Sequence, residues 1–65
     1  MPEVGDICLI ARQKGKISQI LEYGRVVEVQ DGGRTLKMMV CRQGGKTVKE
    51  VITSARLAHL IFRPP

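Results

Sequence analysis

One strand between two glycine pairs constrains the fold of this chain more than any other feature. Within Thr35–Arg42, leucine, methionine and valine occupy every second position, a period that is typical of a β-strand. Gly32-Gly33 precedes this stretch and Gly44-Gly45 follows it. Glycine adopts the positive φ of tight hairpin turns at little cost. The pattern therefore predicts a strand that is joined to both neighbours by hairpins.

Four further strands are predicted from short aliphatic and β-branched runs. A long, arched basic loop is expected over residues 13–22, and a short turn, with 3₁₀ geometry as one option, over residues 54–56. No helix of ordinary length is indicated. These elements predict one all-β domain over residues 1–65, a small five-stranded SH3-like barrel with an ordered core over residues 4–62. The four additional strands are Ile7–Arg12, Tyr23–Gln30, Thr47–Thr53 and Leu57–Phe62.

Two of these strands contain adjacent apolar residues that interrupt the alternation. Val26-Val27 lies in the second strand, and Val51-Ile52 lies in the fourth. Because neighbouring side chains of a strand point to opposite faces, each pair indicates one of three arrangements. The strand is bulged, or it is covered on both sides, or it presents an apolar face to solvent that suits association.

Size and residue content argue against a small-molecule enzyme. A domain of 65 residues buries only about 60% of its unfolded surface, so it has little spare volume for a deep pocket. Ligand clefts typically have a volume on the order of 300 Å³ or more. Asp6 and Asp31 are typical turn formers. Neither Ser18 nor Ser54 has a plausible base, because the only histidine, His59, lies in an apolar strand. We expect no catalytic residue, no cofactor and no small-molecule substrate.

The two cysteines predict buried thiols, not ligands. Cys8 and Cys41 lie in separate apolar stretches without a Cys-x-x-Cys partner, so a zinc site is not expected. A disulfide is the alternative to two free thiols in a reducing compartment. A secretory signal is not expected, and no apolar run approaches the roughly 18 residues of a membrane-spanning helix. A soluble intracellular protein is therefore expected, without a membrane partner.

The charge balance favours a polyanion as partner. The formal net charge is +5 at pH 7, which attracts nucleic acid over long range and allows counterion release. The alternative is that the charge serves solubility alone. Single-strand binding needs aromatic platforms, and the chain has only Tyr23 and Phe62. A nucleic-acid duplex is thus the expected ligand, bound with weak base specificity.

Nine basic residues are candidates for contacts with nucleic-acid phosphates. Long ammonium and guanidinium side chains at loop tips reach the sugar-phosphate backbone without reading sequence. The alternative is that they are ordinary solvated loop ends. The candidates are Arg12, Lys14, Lys16, Arg25, Arg34, Lys37, Arg42, Lys46 and Lys49.

The order of these phrases resembles the C-terminal domain of retroelement integrases, particularly those of Bel/Pao-type retrotransposons. The resemblance extends over residues 4–61. It implies a non-catalytic SH3-like barrel that binds DNA ends or target DNA and helps to assemble the integrase multimer. The phrases that carry it are Val4-Gly5-Asp6-Ile7-Cys8-Leu9-Ile10, Tyr23-Gly24-Arg25-Val26-Val27-Glu28-Val29, Asp31-Gly32, Leu36-Lys37-Met38-Met39-Val40 and the closing Val51-Ile52, Leu57 and Leu60.

The chain departs from that family at two places. Ile20-Leu21 stands where family members usually have an aromatic residue, often tryptophan, before the Gly-Arg-Val phrase. Glu50-Val51-Ile52 stands where many have Arg-Pro. A relative with these changes can keep the barrel and bind a different partner.

A protein–protein interaction module is the alternative function. It would use an apolar strand face or an open strand edge for a protein partner or for self-association. Met39 and Val51 are its candidate residues, because methionine suits adaptable contact surfaces. Basic side chains that converge on one face favour DNA, whereas an exposed Met39/Val51 patch favours a protein.

Overall fold

Five antiparallel strands form a single sheet. The computed structural model describes residues 1–42 and 44–65, and for Lys14 the backbone alone. The strands are β1 (Ile7–Lys14), β2 (Ser18–Gln30), β3 (Thr35–Arg42), β4 (Val48–Ser54) and β5 (Ala58–Phe62). Their order in the sheet is β4-β3-β2-β1-β5. The all-β class is therefore confirmed, and β3 has the bounds that its alternation predicts.

The sheet is not closed into a barrel. Within residues 1–42 and 44–65 no ladder joins β4 to β5, so both remain edge strands. A 3₁₀ turn at Ala55–Leu57 connects them, as one option for this segment predicts. The coarser architecture is thus established, whereas closure in the manner of an SH3-like barrel is not confirmed.

One face of the sheet, which we call the inner face, carries the core. Six apolar side chains on it are fully buried, although no second layer of secondary structure within the described residues covers them. Their burial therefore requires the sheet to curl around its own inner face, and Val51, Ala55 and Ala58 pack against the cluster. The six are Cys8, Ile10, Val26, Leu36, Met38 and Val40. We call the opposite, convex face the outer face.

The two adjacent apolar pairs have different explanations. Val26 pairs with Met38 and Glu28 pairs with Lys37, so Val27 is an extra residue in β2, and the strand is bulged there. The β3–β4 ladder runs without a shift, which places Val51 on the inner face and Ile52 on the outer face. Ile52 is 62% exposed. The first pair thus marks a bulge, and the second marks an exposed apolar position.

The prediction of a long first loop is wrong. β1 continues to Lys14 and β2 begins at Ser18, so residues 15–17 form a tight hairpin turn. The error has a physical cause in the alternation of β2. Glu22 occupies an inner-face position and is fully buried, whereas Leu21 lies on the outer face. Because a polar residue is buried and an apolar one lies on the outer face, the first half of β2 lacks the alternation that would predict a strand.

Close backbone approach explains the glycine of the Gly-Arg-Val phrase. Gly24 pairs with Cys8 on one side and Val40 on the other. A Cβ added to Gly24 would overlap the carbonyl oxygen of Met39 and come within 2.7 Å of the Val40 Cα. The predicted turn before β3 also depends on glycine, because Asp31, Gly32 and Gly33 all have positive φ.

Candidate nucleic-acid interface

Six of the nine predicted phosphate contacts lie towards one end of the sheet. β1 and β3 run in the same direction on either side of β2, so the β1–β2 hairpin and the β3–β4 loop lie at the same end. We call this region the hairpin end. It contains Arg12, Lys14, Lys16, Arg42, Lys46 and Lys49. For Lys14 this position rests on the backbone, since its side chain is outside the described part of the chain.

A buried carboxylate lies among these cations on the inner face. Glu22 is 0% exposed, and its Oε1 lies 2.7 Å from Nε of Arg12, while Nζ of Lys49 lies 3.2 Å from Oε2. Arg42 is directly opposite Glu22 in the β2–β3 ladder. Burial of an ionised carboxylate is costly unless cations compensate it. Glu22 therefore needs part of the positive charge at this end.

The remaining described cations of the hairpin end face solvent. Lys16, Arg42 and Lys46 are all exposed, and none is within salt-bridge distance of a carboxylate in the described residues. The β1–β2 hairpin extends four residues beyond the last β2–β3 pair, which sets Lys16 outward from Arg42. These three side chains can reach an external anion without first breaking an ion pair.

Three predicted contacts lie elsewhere. Arg25 is on the outer face between Ile7 and Met39. Lys37 is also on the outer face, where its Nζ lies 3.4 Å from Glu50 and farther from Glu28. Arg34 lies at the opposite end of the sheet, before β3. The nine candidates therefore do not form one surface.

The outer face has an apolar row, with Leu9 and Cys41 half-buried and Tyr23 and Val48 exposed, but not the expected patch. Met39 lies on this face and is 38% exposed. Val51 instead lies on the inner face and packs against the core, so the expected Met39/Val51 patch is not formed. The row is built from residues that are directly opposite each other on four strands: Leu9, Tyr23, Cys41 and Val48.

An ion pair at the opposite end joins the start of β1 to the segment after β5. Nε and Nη2 of Arg63 each lie 2.9 Å from a carboxylate oxygen of Asp6. The backbone amide of Glu3 also donates a hydrogen bond to the Asp6 carboxylate, so the predicted role of Asp6 as a turn former is confirmed. Hydrogen bonds from Arg63, followed by the Glu3 amide, hold the pKa of Asp6 below its usual value despite burial. The hydrogen bond to the Asp6 carboxylate in turn raises the pKa of Arg63.

The two thiols lie on opposite faces of the sheet and are both free. Cys8 belongs to the core, where burial raises the pKa of its thiol. Cys41 is half-buried on the outer face, and its Sγ lies 3.0 Å from the carbonyl oxygen of Gly45. In the described part of the chain, no three histidine, cysteine or acidic side chains are grouped to hold a metal ion.

Two contacts were missed by sequence reasoning. The Asp6–Arg63 pair joins residues that are far apart in the chain, and no local pattern predicts it. Glu22 had a detectable signal, because it lies four residues before the buried Val26 and so shares its face.

No described helix has the length and hydrophobicity needed to cross a bilayer. Searches of protein-family models, curated proteins and solved structures find no match to this chain.

Proposed function

We propose that this chain is a non-catalytic nucleic-acid-binding and assembly domain that contacts the phosphates of duplex DNA through the hairpin end. The observation that carries the proposal is the position of six predicted cations towards that end of the sheet, where two of them, Arg12 and Lys49, lie within salt-bridge distance of a single buried carboxylate. Such a cluster attracts a polyanion by its field and binds it by displacing condensed counterions. The resemblance of the chain to integrase C-terminal domains implies the same class of ligand.

The finer architecture that we propose is an SH3-like barrel. An antiparallel meander, a long bulged β2 and a 3₁₀ turn that brings β5 against β1 all support it. The curled sheet that encloses its own core adds further support. A solution structure would test closure through the backbone contacts between β4 and β5.

Salt dependence of DNA binding tests the proposed function. Three exposed cations, Lys16, Arg42 and Lys46, predict about three phosphate contacts and a log–log slope of about −2.7 with salt. Affinity for a labelled mixed-sequence duplex should then fall about 40-fold between about 50 and about 200 mM salt. Fluorescence anisotropy measures both quantities. Absence of binding at the lower salt concentration would refute the proposal.

Matched charge reversals locate the interface. Lys16→Glu with Lys46→Glu removes two contacts at the hairpin end and should reduce the slope to about −1. Arg34→Glu with Arg56→Glu changes the net charge equally but alters exposed residues away from that end. The control pair should retain most of the slope. Equal losses in both double variants would mean that binding follows net charge and that the hairpin end has no special role.

A protein partner on the outer face is the second candidate function. The observation in its favour is the apolar row of the outer face together with the exposed Ile52. Association through this face should be insensitive to salt and should be abolished by Ile52→Lys. Sedimentation velocity of both forms measures this. A monomer at all concentrations would exclude self-association through this face.

A further inference from the structure

Among the described residues of the hairpin end, Glu22 is the only buried acid, and two of the candidate phosphate ligands lie within salt-bridge distance of it. Arg12 approaches Glu22 from β1 and Lys49 approaches it from β4, and these two strands lie on opposite sides of β2 in the sheet. The side chains of Arg12 and Lys49 are 37% and 49% exposed, respectively. Both cations are therefore shared between an internal anion and solvent.

The contacts with Glu22 are close but poorly directed. Neither carboxylate oxygen, nor the Nε of Arg12, has a hydrogen-bond partner of good geometry among the described residues. The attraction is thus mainly that of opposite charges at short distance, without the directed N–H···O bonds of a strong bidentate pair. An external phosphate approaching from the solvent side can offer Arg12 and Lys49 better-aligned oxygens.

We infer that Glu22 is an intramolecular competitor for phosphate, an inference that rests on the proposed function. It divides the cations of the hairpin end into two groups. Lys16, Arg42 and Lys46 engage phosphates directly, whereas Arg12 and Lys49 are held back by the Glu22 carboxylate. Glu22 is a positioning residue that sets the affinity and the salt dependence of the site. It does not itself touch the nucleic acid.

Glu22→Gln should release the two cations. The substitution keeps the size of the side chain and removes its charge, so each released cation can add one phosphate contact. Each added contact tightens binding about eightfold at about 0.1 M salt and makes the slope more negative by about 0.9. The expected gain is therefore about 8- to 60-fold for a labelled mixed-sequence duplex, measured by anisotropy over a salt series.

Glu50→Gln is the matched control. It also removes one negative charge, but Glu50 pairs with Lys37 on the outer face, away from Glu22. Its effect should stay below about threefold, because exposed charges that are distant from the ligand are screened. Equal gains and equal slopes for the two variants would overturn the inference while leaving the proposed function intact. Weaker binding by Glu22→Gln would also overturn it. If wild type and both variants fail to bind at low salt, the proposed function is refuted, and the inference with it.

A second comparison does not require Glu22→Gln to fold. Lys49→Gln and Lys46→Gln each remove one positive charge from the hairpin end, but only Lys49 lies against Glu22. Lys46→Gln should therefore weaken binding about eightfold at about 0.1 M salt, and Lys49→Gln should weaken it much less. Circular dichroism establishes that each variant is folded. Equal losses would overturn the inference.

Discussion

Alanine at Gly24 should destabilise the sheet at the crossing of β1, β2 and β3. The added Cβ would overlap the Met39 carbonyl oxygen, which is backbone and cannot rotate away. β2 and β3 must then separate, and the ladder pair Gly24–Val40 is strained. Overpacking of this kind costs about 1–3 kcal/mol, and one weakened ladder hydrogen bond adds about 1 kcal/mol.

An opposing effect is too small to rescue the variant. Alanine restricts the unfolded chain more than glycine does and thereby stabilises the native state by about 0.4–1 kcal/mol. The net loss in the free energy of unfolding is thus about 1–3.6 kcal/mol. A core of this size supplies only about 3–5 kcal/mol in total. We expect the midpoint of thermal unfolding to fall by at least about 4 °C.

Gly45→Ala is the control for the loss of a glycine. A Cβ at Gly45 would lie 3.3 Å from the Arg42 carbonyl oxygen, a contact that a small shift relieves, and its cost should stay within about 1 kcal/mol. Urea and thermal unfolding, followed by far-UV circular dichroism, measure both variants. A Gly24→Ala variant within about 0.5 kcal/mol of wild type would refute the argument from close approach.

Three further predictions concern the two faces and the two ends of the sheet. The lowered pKa of Asp6 contributes stability that is present above its unfolded pKa and lost as pH falls through its folded pKa. The thermal midpoint of Asp6→Asn should therefore depend less on pH below about 4 than that of wild type, and parallel curves would contradict this. In an alkylation assay followed by mass spectrometry, Cys41 should react first and Cys8 only on unfolding; early modification of Cys8 would be inconsistent with its burial. Met38→Ala should cost about 2–5 kcal/mol and Met39→Ala less than about 1 kcal/mol, and similar urea midpoints for the two variants would argue against the assigned faces.

Prediction from sequence succeeded where polarity and burial agree. Leucine, methionine and valine occupy every second position of β3 from Leu36 to Val40, and these inner-face residues are all fully buried. Prediction failed in the first half of β2, because Glu22 is polar and buried while Leu21 is apolar and on the outer face. Local alternation cannot reveal a buried acid whose partners come from other strands.

The basic residues were recognisable from sequence, but not their grouping. Convergence at the hairpin end depends on the common direction of β1 and β3, which requires the strand order. The assignment of Lys37 to an ion pair with Glu50 depends on the β3–β4 register. A one-residue shift of that register would move Glu50 to the inner face while Lys37 stays on the outer face, and the pair would be lost. Composition predicts the amount of positive charge, whereas topology decides how much of it is available.

The inner face explains why this availability is uneven. Towards the hairpin end its apolar cluster ends at Ile10 on β1 and Val40 on β3, and Glu22 lies directly opposite Ile10 on β2. A buried acid at that point requires positive charge beside it, so Arg12 and Lys49 have a structural role in addition to any contact with a ligand. No such requirement applies to the exposed lysines of the two loops. Substitutions at Arg12 and Lys49 should therefore lower stability and weaken binding only slightly, whereas those at Lys16 and Lys46 should alter binding alone.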